Sequence, residues 1–520
     1  MRRIFLFIFF MSVFYTVHSR QIININRNWQ FSLNQDISLQ SRITVDVPHT
    51  WNYDAVAVRN EYYRGVANYI KDIRIPSDWR GKRVFIRFYG VNSEAHLIVN
   101  GHFAGEHKGG YTAFTFEITD YLRYGSSNSL WVRVNNSHQL DVMPINGDFN
   151  VYGGIYRDVE LIVTEDIGIS LLDHGSNGVY VSQSEVTSEY AKIDTEIHIS
   201  SSASKLTNIT ISVEIVEPET NSVVASKDAR IKVEGSEILN LSLSVDNPKL
   251  WNGYRDAYLY DLKVKIKSVD IVKDSLVVPV GLRNYTVTSD KGFFLNGNPY
   301  KLHGVLYHGD ISGRGTAMTK ADIEADFDMM LEMGVNAIRM ANYPQDPYLF
   351  ELCDRYGILV WCEIQLVGQD IRSYNGFIDS PVFKENCKLQ LTEMVKQNHN
   401  HSSVVFWGIF SNLITRDDRL IPFVRELNRL AKTLDPTRLT SASSNQDGDI
   451  NFITDVIGWS QYLGWKEGAV ADMEKWLDQL TTQWFMLKSG IGEYGSGGSV
   501  THVNDTLRRP YTRERLNPER

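Results

Sequence analysis

Gly490-Ile491-Gly492-Glu493-Tyr494-Gly495 is a short apolar strand that ends in a carboxylate and runs into a glycine-rich loop. A carboxylate so placed can attack, accept a proton, or simply complete a salt bridge. Its company decides between these roles. His308, Asp310, Asn342, Tyr343, Glu363, Asn412, Tyr462 and Trp465 each stand at or just past the end of another strand-like segment. Carboxylates, amides and aromatic rings converging at one mouth suit a carbohydrate pocket better than a phosphate or metal site. Taken singly, each has a plainer explanation. His308 could be a satisfied core histidine, Glu363 a packing carboxylate, and Trp465 a cover for a domain rim.

The elements that must carry these residues alternate in kind. From about Gly292, strand candidates at Tyr300–Leu306, Ala337–Met340, Ile358–Ile364, Val404–Phe410, Leu439–Ser443, Val456–Ser460 and Gly490–Tyr494 are separated by helix candidates. The helices are expected at Lys320–Met333, Pro381–Gln397, Leu420–Leu434 and Met473–Leu487. Repeated βα units predict a parallel sheet, either a (β/α)8 barrel or a doubly wound fold. Polar residues collect at the strands' C-terminal ends, and no Gly-rich dinucleotide loop follows a strand. That pattern favours the barrel, whose active sites are built at that face. The roughly 25 polar residues after Tyr494, including Arg508-Arg509-Pro510 and Asn517-Pro518, offer no eighth apolar strand, so an incomplete barrel is expected.

Upstream the grammar is different. Gln21 to about Glu165 reads as short alternating strands, among them Ile22–Ile25, Arg83–Tyr89, His96–Val99, Ala113–Ile118 and Leu130–Val134. Asn100-Gly101 is the hairpin signal between two of them. This predicts a jelly-roll-sized sandwich. A second all-β stretch, Ile167 to Val287, has the size of an immunoglobulin-like sandwich. The expected domains are therefore 1–19 (signal peptide), 20–165, 166–288 and 289–520.

Composition narrows the class. With 43% hydrophobic residues over 520, the chain is an ordinary globular one and long enough for three cores. Its formal charge of -9 gives no electrostatic reason to bind nucleic acid. Arg2-Arg3 followed by apolar Ile4 to Val17 and then Val17-His18-Ser19 reads as a signal peptide, so the protein is expected to be secreted or periplasmic. No other segment is long and apolar enough for a transmembrane helix. Cys353, Cys362 and Cys387 form neither a disulfide framework nor a metal pattern, and buried free thiols are expected.

Several ordered motifs carry a resemblance. They are Val47-Pro48-His49-Thr50-Trp51-Asn52, Tyr152-Gly153-Gly154-Ile155-Tyr156-Arg157-Asp158-Val159, Gly292 to Gly297, Met333 to Arg339, Leu352 to Gly357, Asn400-His401 and Gly490 to Gly495. On these the chain resembles glycoside hydrolase family 2, the β-galactosidase and β-glucuronidase family, over nearly its whole mature length. The resemblance implies a retaining β-glycosidase with two carboxylates roughly 5–5.5 Å apart. It carries the nucleophile onto Glu493 and a tyrosine that hydrogen-bonds the nucleophile onto Tyr462. Substrate contacts fall on His308, Asn342, Ser411 and Trp465, and on Asp148 as a first-domain carboxylate that reaches the sugar. No cofactor or metal is implied.

The same comparison exposes departures. The family's Asn-Glu pair at the end of the fourth strand, whose Glu is the acid/base, is here Ser411-Asn412. An amide neither donates nor retrieves a proton at working pH. Asn342 stands where a His is usual, Ser460 where an Asn is, and Leu306-Tyr307-His308 replaces an Asn-Arg-His run. Asp417, Asp418 and Glu363 are nearby carboxylates, none at the matching position. The expected function is a β-galactosidase-type hydrolase of O-glycosidic bonds. The alternative is an impaired relative that only binds glycans.

Overall fold

The computed structural model describes residues 20–33, 41–53, 62–147, 149–203, 205–368, 376–414, 418–466, 468–483 and 486–495. Residues 1–19, where a signal peptide is expected, Asp148, Asp417 and everything after Gly495 lie outside the described residues.

The first unit is an antiparallel sandwich. One sheet joins Arg20–Asn24, Val159–Thr164, Arg83–Phe88 and Phe114–Glu117. The other joins Ile43–Val45, Trp29–Leu33, Val66–Arg74, Ser127–Asn135, Glu94–Val99 and His102–Lys108. Strand Ser127–Asn135 shows why: Asn128, Leu130, Val132 and Val134 are buried while alternate residues are not. That period of two lays one face on a core holding Trp29, Tyr69 and Phe88. The expected hairpin is present, with Asn100 and Gly101 both at positive φ (52° and 84°), as a primed two-residue turn needs.

The second unit packs two further antiparallel sheets. Tyr190–Ser201 is the centre of one, and Thr207–Glu217 and Tyr260–Ser268 are the centre of the other. Ile, Val and Leu from both inner faces fill the space between them. A small three-stranded sheet, Tyr285–Thr288, Gly292–Leu295 and Asn298–Pro299, then leads under the barrel. Phe293, Leu295 and Tyr300 pack there against Leu359, Val405 and Phe406 of the barrel strands.

Seven parallel strands follow, paired in sequence order: Gly304–Tyr307, Ala337–Met340, Leu359–Glu363, Val404–Ser411, Leu439–Ser444, Val456–Ser460 and Ser489–Glu493. Seven were expected, and seven are present among the described residues. The fourth is buried at every position, as parallel strands covered on both faces are. Among the described residues, the first and seventh strands are not hydrogen-bonded to each other. Gly304, Ser489, Gly490 and Ile491 are accordingly exposed.

Helices Lys320–Glu332, Pro381–Asn398, Leu420–Leu434 and Asp472–Gln483 match those expected. Leu420–Leu434 buries Leu420, Phe423, Val424, Leu427 and Ala431, a helical stripe. A further helix, Pro347–Tyr356, was not among the expected ones. Its ends are nevertheless written in the sequence: Asp346 caps the N-terminus onto Tyr348 N–H, Pro347 opens the first turn, and Gly357 closes it at φ 73°. At 10 residues, under three turns, it is too short for its periodicity to stand out. Among the described residues, no helix is long and apolar enough to cross a membrane. The three cysteines are free and buried, and burial pushes their thiols well above the usual range.

The three units are joined by buried polar contacts. Glu393, on helix Pro381–Asn398, takes hydrogen bonds from His107 (2.9 Å) and Thr112 (2.6 Å) of the first sandwich. Arg157 donates to the carbonyls of Tyr111 and Pro344 at 3.0 and 2.8 Å. Arg283, at the end of the second sandwich, donates to the Ser402 and Val404 carbonyls just ahead of the fourth barrel strand. These bonds fix both sandwiches against the barrel wall.

Candidate active site

The mouth is organised by one guanidinium. Arg339, on the second barrel strand, is 5% exposed. Its Nη2 donates to Glu363 Oε1 and Oε2 at 2.9 and 3.1 Å, and its Nε to Oε2 at 3.2 Å. Nη2 also reaches Ser411 Oγ at 3.1 Å, while Nη1 lies 3.6 Å from Glu493 Oε2. Parallel pairing makes this possible, because Arg339 is opposite Trp361 one strand over and its side chain lies 4.8 Å above that ring. An arginine in the middle of an otherwise apolar strand must find partners when buried. Here it has two carboxylates.

Room for the cluster comes from glycines on the fourth and sixth strands. A Cβ on Gly408 would fall 2.3 Å from Glu363 Cβ, and one on Gly458 would fall 2.4 Å from the Trp361 ring. Glycine inside a strand here marks close approach of another side chain. The ladder also shifts register at Gly408/Ser411 and at Trp459/Ser460, where those strands reach the mouth.

The two carboxylates beside Arg339 differ in access. Glu363 is wholly buried and also accepts from Asn342 Nδ2 at 2.9 Å. Burial pushes its carboxyl above the ordinary value, with Arg339 and Asn342 opposing and Glu493 adding to the rise. Glu493 ends the seventh strand with its side chain 23% exposed, and its carbonyl accepts from Gln461 N–H at 2.8 Å. The solvent-open carboxylate at the end of a barrel strand is therefore Glu493.

The other expected residues fall as follows. Asn342 and Ser411 are buried and bonded to each other at 3.2 Å. Asn412 is 2% exposed, sits at φ 50°, and its N–H donates to the Ser443 carbonyl at 2.9 Å. Its Oδ1 is buried with no hydrogen-bond partner among the described residues. Ser460 pairs with Ser443 at 2.7 Å. Tyr462 and Trp465 meet edge-to-face at 5.7 Å beside the seventh strand, and the Lys466 ammonium lies 4.0 and 4.6 Å from their ring centres. His308 is half-buried, 6.3 Å from the Phe149 ring and 6.4 Å from that of Tyr343. Asp148 lies outside the described residues, but its neighbour Phe149 brings the first sandwich to the mouth. Tyr152 supports that approach by donating to Asp310 at 3.1 Å, and Tyr111 stacks on Tyr343 at 4.0 Å. Asp418 is exposed ahead of helix Leu420–Leu434. Sequence reasoning passed over Arg339 and Phe149 as site residues. A charge inside an apolar strand was the available signal for the first, and none was available for the second.

Three descriptions match the chain in order: "Glycosyl hydrolases family 2, sugar binding domain" over residues 16–165, "Glycosyl hydrolases family 2" over 177–283, and "Glycosyl hydrolases family 2, TIM barrel domain" over 286–504. A β-glucuronidase of Bacteroides fragilis is 43% identical over 519 residues, covering 99% of this chain and 74% of the relative. The chain belongs to glycosyl hydrolase family 2. A β-galactosidase of Thermoanaerobacter pseudethanolicus is 31% identical over 81% of this chain and 55% of its own. The crystal structure of a Bacteroides uniformis β-glucuronidase superposes with a TM-score of 0.87 at 30% identity, covering 92% of this chain and 60% of that one. The chain thus spans little more than half the length of these last two proteins.

Proposed function

We propose that the chain is an exported β-glycosidase that retains anomeric configuration, with Glu493 as its nucleophile. The observation that carries this reading is the half-open Glu493 at the mouth of a family-2 barrel, 3.6 Å from a buried guanidinium. Attack by its carboxylate on the anomeric carbon gives a covalent glycosyl-enzyme, which a second displacement releases. Tyr462, which the family resemblance pairs with that carboxylate, contacts the sugar together with His308, Trp465, Asp148 and Phe149. The overall resemblance leaned towards β-galactosides. The 43% identical relative named β-glucuronidase moves the proposal to β-glucuronides, with β-galactosides as the comparison substrate.

Asn412 supports a second reading, in which the mouth binds a glycan and turns it over poorly or not at all. Activated aryl β-glucuronides and β-galactosides separate the two. The first reading expects release of the aryl group, a β-configured first product by NMR, and a loss of roughly 10³-fold or more on Glu493→Gln. Equal rates for the wild type and Glu493→Gln refute it, and saturable glycan binding without turnover establishes the second. Export rests on residues 1–19 and is tested by N-terminal sequencing of the mature protein, which should begin after Ser19.

A further inference from the structure

Retaining hydrolysis moves two protons as well as two electron pairs, and among the described residues the carboxylates near the mouth other than Glu493 are bonded elsewhere or lie outside it. Glu363 is 0% exposed, with both oxygens bonded to Arg339 and one also to Asn342. Asp310 accepts the Tyr152 hydroxyl on the rim formed with the first sandwich, and Asp418 is exposed outside the barrel strands. At the end of the fourth strand stands Asn412, buried, with its Oδ1 bonded to nothing among the described residues. A carboxamide there accepts a hydrogen bond and orients a ligand, but it supplies no proton.

We propose that this site is a glycosyl-transfer site for donors whose aglycone departs as a stabilised anion, namely electron-poor phenols and carboxylic acids held in ester linkage to the sugar. Its acceptors are nucleophiles that attack as anions. The proposal rests on Glu493 being the nucleophile. In the first step a Glu493 oxygen bonds to the anomeric carbon while the bond from that carbon to the aglycone oxygen breaks. The electron pair leaves with the phenolate or carboxylate, so no proton is required. An alkoxide leaving group has no such stabilisation and needs the missing acid, whose assistance is worth about 10²–10⁴-fold. In the second step an anion such as azide, a thiolate or a carboxylate bonds to the same carbon, and the pair of the ester bond returns to Glu493. Two inversions leave the product β-configured. Water must lose a proton as it attacks, and with no base to take it the glycosyl-enzyme persists.

The test uses the whole chain with 2,4-dinitrophenyl, 4-nitrophenyl and methyl β-glucuronides, and the matching β-galactosides, with and without sodium azide. Intact mass spectrometry is run in parallel. The expected results are a kcat/KM that falls by at least about 10²-fold from dinitrophenyl to methyl beyond what a general acid would permit, a persistent adduct on Glu493, and faster turnover with azide that yields the β-glycosyl azide. Asn412→Glu should flatten the dependence on aglycone acidity and abolish the azide response. Asn412→Asp is the companion variant, because Asp shares the tolerance of Asn for the positive φ at this position. Methyl glycosides hydrolysed within tenfold of the dinitrophenyl donors would overturn the proposal. So would an adduct that turns over in water at a rate azide does not change, or an azide response that survives both Asn412 variants. Absence of any adduct on Glu493 is a different failure, because it removes the nucleophile and with it the underlying reading.

Discussion

Two buried ionic clusters in the barrel look alike in composition and differ in completeness. Beneath the fourth strand, Asp435 is fully buried and takes bonds from Arg438 (2.7 Å), Trp407 (3.0 Å) and Thr437 (2.6 Å). Arg438 in turn donates to the Val404 and His401 carbonyls. Burial alone would raise the Asp435 carboxyl, but Arg438, His399 and Thr437 hold it well below the usual carboxylate range. At the mouth, Arg339 and Glu363 form an equally buried pair, yet Asn412 Oδ1 and Trp361 Nε1 nearby have no partners among the described residues. Buried polar atoms are normally satisfied, so the exceptions need a reason. The lower cluster holds the wall together and leaves nothing over. The upper one leaves two buried polar atoms without a partner among the described residues.

The largest effects should come from removing one charge of each pair. Arg438→Met strands Asp435 and should cost about 3–5 kcal/mol of stability, the usual result of leaving a buried charge alone. Activity per folded molecule should be retained. Arg339→Met should cost a similar amount by stranding Glu363, and should also abolish covalent labelling of Glu493. Thermal melts beside labelling yields on the folded fraction check both. Equal labelling loss in the two variants would erase the distinction between the clusters.

A smaller effect separates them by pH. His399 touches the lower cluster, 4.0 Å from Asp435, and its ring meets Tyr180 of the second sandwich at 5.6 Å. Burial lowers it from its ordinary value to about 4. Above pH 6.5 neither the folded nor the unfolded state protonates it. Between 6.5 and about 4 the unfolded chain takes up a proton that the folded chain refuses, so stability falls with falling pH. The slope is at most about 1.4 kcal/mol per unit. His399→Gln should therefore lose less melting temperature than the wild type between pH 7 and 4.5. Parallel curves for the two proteins would exclude His399 as a source of acid sensitivity.

How far the sequence disclosed this arrangement depended on how local each signal was. All seven barrel strands were legible, the inner ones because parallel strands buried on both faces are short apolar runs bounded by polar residues. Glu493 was legible for the same reason, since strand ends mark the mouth. Arg339 was passed over because its role depends on pairing between Ala337–Met340 and Leu359–Glu363, which no single segment reveals. Phe149 reaches the barrel only through the packing of two domains. The commitment of Ser411 and Asn342 to Glu363 and Arg339 is likewise a three-strand property. Asn412 was noticed only against the family pattern. Its buried oxygen, without a partner among the described residues, emerges only in the folded chain.

Glu493 as the attacking group is tested most directly by peptide mapping. The chain is incubated with a 2-deoxy-2-fluoro 2,4-dinitrophenyl β-glucuronide and, separately, with the β-galactoside analogue. It is then digested and sequenced by mass spectrometry. The expected result is a single glycosyl adduct on the peptide containing Gly490 to Gly495, localised to Glu493 and absent in Glu493→Gln. An adduct on Glu363, on Asp310 or on any other carboxylate would contradict the account, as would an unlabelled chain with both sugars.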